Sequence, residues 1–146
     1  MALLEPEYAL RKLLTDDGTV AASVSTRIYP LFDVPQNAKR PYITYHRSSD
    51  AHTYHLGGES GLILADIELD IFATSDSLMR SLTDAVRLAI AGVTGTVTVG
   101  SNSVVLQMVH IKNSFDGTDP PPDGSATPVY QRVINVKVGY NVTPNS

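Results

Sequence analysis

The stretch Ile63-Leu64-Ala65-Asp66-Ile67-Glu68-Leu69-Asp70-Ile71 decides the fold. Ile63, Ala65, Ile67, Leu69 and Ile71 recur at every second position, and Asp66, Glu68 and Asp70 stand between them. A period of two is that of extended chain, so this run predicts a strand with one face buried and the other polar. A second alternating run closes the chain, where Tyr130, Arg132, Ile134, Val136, Val138 and Tyr140 oppose Gln131, Asn135, Lys137 and Asn141. Upstream, Tyr42 to Leu56 opens with the strand formers Tyr42, Ile43, Thr44 and Tyr45, and Gly57-Gly58 and Gly61 mark the turn that follows. Thr94–Val99 and Val104–Lys112 flank Gly100-Ser101-Asn102-Ser103, a hairpin signal.

Between these strands the period changes to that of a helix. Leu78, Leu82, Ala85, Val86, Ala89 and Ile90 recur at helical spacing; Thr74-Ser75-Asp76 supplies capping side chains and Gly92 a C-terminal stop. Near the start, Pro6, Glu5 and Glu7 suit a helix N-terminus, Leu10, Leu13 and Leu14 make an apolar stripe, and Asp16-Asp17-Gly18 ends it. Val20–Val24 predicts one or two further turns. Leu31 to Pro41 reads as a loop, and so does 113–127, which carries three prolines, three aspartates and two glycines. The expectation is α+β: one domain over 1–146, a mainly antiparallel sheet of about four to six strands packed by two to three helices, and a long exposed loop at about 113–127.

Composition narrows the function. The 146 residues carry 11 basic and 15 acidic side chains, a formal charge of −4, so scattered cations argue against a duplex-binding module. There is no cysteine, which removes thiol catalysis, disulfide scaffolds and cysteine-ligated metals. No basic start leads into an apolar run at Met1–Tyr8, and no stretch approaches ~18 apolar residues, so a soluble, cytosolic protein with no membrane association is expected. Charged residues make up only 18%, below the ~25% usual for soluble domains. A thinly charged surface is one that other subunits can cover.

Candidate chemistry is sparse. Asp66, Glu68 and Asp70 lie on one strand face with about 6.6 Å between neighbours. Three readings stay open: a Mg²⁺ or Mn²⁺ site of a phosphodiesterase, a solvated face opposite Lys137 or Arg47, or a negative surface that repels nucleic acid. His46, His52 and His55 are spaced so that all three converge only around a turn, which favours ordinary polar histidines over a zinc site. His110 reads as a sheet residue. Arg80, Asp84 and Arg87 suit ion pairs along an exposed helix face. The glycines of 57–61 lack the lysine of a phosphate loop and precede a strand. No nucleophile is paired with a base, so neither catalytic nor metal-binding residues are assigned, no cofactor is expected, and the protein is not read as an enzyme.

The succession of signals resembles a known family, the small tail-completion proteins of long-tailed bacteriophages, also called tail terminators or head–tail joining proteins. The resemblance rests on Ala9–Leu14 with Val20, Arg27-Ile28-Tyr29-Pro30, Pro41–Tyr45, the Gly61-to-Phe72 strand, the helix Leu82–Ile90 ending at Gly92, and the closing strand Pro128–Tyr140 behind an acidic loop. It implies a structural virion protein in the tail or neck, present in the host cytoplasm during assembly. It further implies a homohexameric ring that ends tail-tube polymerisation and joins the tail to the head connector. The partners implied are further copies of the chain, the tail tube protein and the head connector or a head-closure protein. DNA would pass through the channel without specific binding, with Asp66, Glu68 and Asp70 on the channel-facing acidic face. His52, His55, Asp116, Asp119 and Asp123 would contact adjoining rings. The alternatives are another neck component such as a head-closure protein, and a metal-dependent phosphodiesterase using Asp66, Glu68 and Asp70.

Overall fold

The two periodicities build two layers, a sheet and a set of helices lying on one of its faces. The structure, a computed structural model, describes residues 2–55, 58–117, 120–124 and 130–141, with the side chains of 2, 3, 52–55 and 58–61 outside that description. The elements run β1 (Ala2–Leu3), α1 (Pro6–Asp16), α2 (Gly18–Val24), β2 (Ile28–Pro30), a 3₁₀ turn (Leu31–Asp33), β3 (Tyr42–His55), β4 (Gly58–Ala73), α3 (Asp76–Ile90), β5 (Gly95–Val99), β6 (Asn102–Asp116) and β7 (Tyr130–Asn141). The sheet order is β1-β6-β7-β4-β3-β2, with β5 also paired to β6. The long pairs β3–β4, β4–β7 and β6–β7 are antiparallel. The fold is therefore α+β, as the alternation predicts. The five strands legible in the sequence are joined by two short ones, β1 and β2, which pair parallel with β6 and β3. Pieces of two or three residues are too short to show a period.

Local signals place the helices where the sequence puts them. Pro6 opens α1, where its missing N–H costs nothing. Asp17 ends α1 and caps α2, its carboxylate accepting from the backbone N–H of Thr19 and Val20, so the two helices follow each other without a loop. Ser75 caps α3 by accepting from the N–H of Leu78. Beyond its last turn, Gly92 adopts φ 76°, and its N–H donates to the carbonyl of Val109 at 2.9 Å, which ties the helix end to β6.

The main core lies between these helices and the face of Ile63, Ala65, Ile67, Leu69 and Ile71. Leu10, Leu14, Val20, Val24, Leu82, Val86 and Ile90 come from the helices; Ile43, Ile134, Val136 and Val138 come from the strands beside β4. Each such side chain contributes roughly 1.5–3 kcal/mol on burial. The opposite face is largely open, but its lower end holds a second, smaller cluster. Tyr42 and Phe72 stack there with centroids 5.0 Å apart, next to the buried Val133 and Gln131.

That second cluster corrects two expectations. Gln131 is buried although its place in the alternation makes it polar and outward, and Tyr130 is exposed. The reading of 113–127 as a long exposed loop also changes. Residues 113–116 belong to β6, whose pairing with β7 continues to Asp116 opposite Arg132. Asp123 is 3% exposed, held at the end of the smaller cluster.

Candidate functional site

Three surfaces carry chemistry: the open face of the sheet, the two sheet edges, and a cleft beside the N-terminus of α1.

The open face contains the acidic ladder. Antiparallel register sets Glu68 between His46 of β3 and Asn135 of β7, and Asp66 opposite Lys137. Asp66 accepts from the Ser49 hydroxyl at 2.9 Å and the Lys112 ammonium at 3.2 Å, with Lys137 at 3.9 Å. Burial pushes the Asp66 carboxyl up, but the hydrogen bonds from Ser49 and Lys112 outweigh it and hold the group below its ordinary range. Glu68 lies 4.0 Å from Nδ1 of His46, and Asp70 is buried beside Thr44. The ladder is thus not a bare acidic strip: one carboxylate is ion-paired, one faces a histidine, and one is inside the protein. Among the described residues no group of three histidine, aspartate or glutamate side chains is placed to hold a metal ion. The surroundings give the reason, because Asp66 is drawn to Ser49 and Lys112, Glu68 faces His46, and Asp70 is buried.

Arg47 is not on this face. It pairs across Ile67, so it shares the helix side with the core isoleucines. There its guanidinium bridges Glu5, Glu7 and Asp50 and reaches the hydroxyl of Tyr140 at 3.2 Å. Burial opposes the charge, but Glu7 more than offsets it and the pKa of Arg47 is raised. This knot fixes the start of α1 to β3. The parity of Ile43 and Tyr45 in β3 is the signal that places Arg47 on the helix side.

The histidines of β3 stand at different register positions. A register shift between Arg47 and Ser49 interrupts the simple alternation that would put His46 and His52 on one face; the backbone opposes His46 to Glu68, His52 to Ile63 and His55 to Gly58. The side chains of His52 and His55 lie outside the described residues, as does Asp119. His110 is exposed opposite Lys137. Asp116 is exposed and pairs with Arg132 at 3.0 Å. Asp123, expected at an inter-ring contact, is instead internal: its carboxylate accepts from the Tyr42 hydroxyl at 2.9 Å and sits 3.5 Å from Arg40. Burial, then the hydrogen bond to Asp123, raises the Tyr42 pKa. On α3, Arg80 pairs with Asp76 and Arg87 with Asp84, a solvated face as the spacing predicts.

Both flanks of the sheet keep unpaired backbone. β2 covers β3 only from Ile43 to Tyr45, so the outer side of 46–55 has no strand beside it among the described residues. On the other flank β5 covers β6 from Asn102 to Leu106, and the outer side of 110–116 is likewise open. Such edges are ready templates for another strand. The cleft lies beside the β3 edge, at the end of β2, and Phe32 at its rim is 94% exposed. Neither the edges nor Phe32 announce themselves in sequence, since pairing and exposure depend on what the rest of the chain leaves uncovered.

A family model described as "Tail completion protein gp17" matches residues 8–128. Among solved structures, a chain from the "Virion of native gene transfer agent (GTA) particle" is similar in fold, with a TM-score of 0.66, 16% identity and 92% of each chain covered. No curated protein matches the sequence.

Proposed function

The chain belongs to the tail completion protein gp17 family, a structural component of a phage tail or neck, and from that premise we propose that it assembles as a closed homohexameric ring at the head-proximal end of the tail tube. Bound there, the ring occupies the surface that the next tube subunit would use, ends polymerisation, and presents its other side to the head connector. The observation that carries this reading is the pair of open sheet edges, 46–55 on β3 and 110–116 on β6, at opposite flanks of one sheet. Two different edges that pair with each other from copy to copy make a heterologous contact, and such contacts generate rings when the rotation closes. Assembly then draws on interface burial and backbone hydrogen bonds, without turnover.

In this ring the open sheet face with Asp66 and Glu68 lines the channel, and Asp70 lies buried behind it. Its cations Lys112 and Lys137 are already held by Asp66, so they offer DNA little net attraction and the duplex slides past. The inter-ring contacts come from His52, His55, Asp116 and Asp119, while Asp123 acts from inside by holding its loop.

The absence of cysteine gives a clean background for the test. Single cysteines at Ser49 and Ser114, introduced together, are expected to give oxidised ladders ending at a hexamer when tail-tube protein is present. Native mass measurement with tube protein that shows only monomers refutes the ring. Electron microscopy of particles lacking the protein distinguishes its place in the neck. Tails of uncontrolled length support termination; normal tails beside leaking full heads indicate head closure instead.

A further inference from the structure

The cations of this chain are almost fully committed within it. Of the 11 basic residues, Arg11 and Arg27 donate to backbone carbonyls. Lys12, Arg40, Arg47, Arg80, Arg87, Lys112, Arg132 and Lys137 pair with carboxylates. That leaves Lys39. The carboxylates are less fully committed, and Asp33 has no ion pair among the described residues. Asp33 lines a cleft of about 320 Å³ together with Glu5, Glu7, Tyr8, Phe32 and Tyr45. Two cations near the cleft walls are engaged elsewhere: Arg47 holds Glu5 and Glu7, and Arg11 points its donors at the carbonyls of Ile28 and Thr26.

The walls of the cleft are built rather than incidental. Tyr8 meets Tyr45 edge to face with centroids 6.4 Å apart, which holds both rings upright. Phe32 stands 94% exposed on the 3₁₀ turn, none of whose three residues is buried. Exposed aromatic faces beside a carboxylate that lacks a cation match one kind of group: a guanidinium or ammonium on an aliphatic stem, which stacks on the rings and donates to the acid. We infer that this cleft receives an arginine or lysine side chain from a different protein of the virion neck. The inference rests on the assembly role proposed above. A second copy of this chain is a poor source, since among the described residues its other cations are already engaged and only Lys39 is left over.

The test is a titration of the whole ¹⁵N-labelled chain with N-acetyl-arginine methylamide, against N-acetyl-citrulline methylamide, at low salt. The arginine probe is expected to move the amide signals of residues 31–33 and 45–46 and to saturate in the millimolar range, and the citrulline probe to leave them in place. Asp33→Asn and Phe32→Ser, both at exposed positions, should each weaken binding at least fivefold with the remaining spectrum unchanged. Unaltered affinity in Asp33→Asn, or shifts shared equally with the exposed Asp84 and Asp16, overturns the inference.

Complementation of a phage lacking the gene separates this idea from the assembly role. Phe32→Ser/Asp33→Asn is expected to lower the titre at least tenfold. A wild-type titre from that variant refutes the cleft inference and leaves the role intact, because the role is judged by the phage without the gene. Loss of self-association in Lys39→Gln would make a second copy the occupant and likewise overturn it.

Discussion

Tyr42→Phe removes one oxygen from the inside of the protein and little else. The ring stays stacked on Phe72, 5.0 Å away, and tilted against Tyr29 at 6.0 Å, so no cavity larger than a hydroxyl is created. What is lost is the 2.9 Å hydrogen bond to the Asp123 carboxylate. A hydrogen bond to a charged group contributes about 1.5–3 kcal/mol, and its loss here weakens the hold on a buried carboxylate that also sits 3.5 Å from Arg40. At roughly 2–4 °C per kcal/mol for a chain of this size, the melting temperature should fall by about 3–12 °C. If the segment around Asp123 opens locally before the sheet unfolds, the loss appears instead in hydrogen exchange. Then the Gly117 amide, which donates to Gln131, should exchange about 10–150 times faster.

The same bond makes a pH prediction. The folded pKa of Tyr42 is raised above the ordinary tyrosine value of about 10. The stabilisation is therefore complete below pH 10 and lost as the pH climbs beyond it, so wild type should weaken more steeply than Tyr42→Phe in urea melts at pH 10–12. A double-mutant cycle with Asp123→Asn isolates the pair. A coupling energy within 0.5 kcal/mol of zero, together with unchanged exchange at Gly117, would refute the claim that Tyr42 and Asp123 pin this segment.

Other variants probe the remaining links. Gly92→Ala forces an L side chain into φ 76° and should cost about 1–2 kcal/mol in denaturant melts, with no steric clash to add to it. Ile67→Ala, at the middle of the buried face and 1% exposed, should cost about 2–5 kcal/mol at an unchanged urea slope. Asp66 has a lowered pKa, so its contribution is present above the unfolded value of about 3.9 and vanishes as the pH falls through the folded one. Asp66→Asn should therefore flatten the stability curve below about pH 4, and an unchanged acid limb would show the Lys112 pair to be idle.

Much of the fold is legible in local pattern because strand and helix periods are set by backbone geometry alone. The alternation from Ile63 to Ile71 identifies β4 and its buried face, Ser75 and Gly92 bracket α3, and Asp17 separates α1 from α2. The candidate site was less accessible. Arg47 could be assigned to the helix side by counting from Ile43, but whether it would meet Glu5 depends on the approach of α1. Tyr42 and Asp123 stand 81 positions apart in sequence, and no period links them. A proline- and aspartate-rich segment reads as exposed loop whether or not one of its carboxylates is captured.

The sequence by itself determined the α+β class, the order of the helices and the five longer strands, the face of β4 that is buried, and the alternating positions of Asp66, Glu68 and Asp70. Those follow from side-chain periodicity and capping, which act within a few residues. Only the tertiary structure decided that Lys112 and Lys137 neutralise Asp66, that Asp123 is internal, that Phe32 stands bare beside Asp33, and that part of each flanking strand has no strand on its outer side among the described residues. These depend on which distant segments arrive at the same place, and on what the finished packing leaves uncovered.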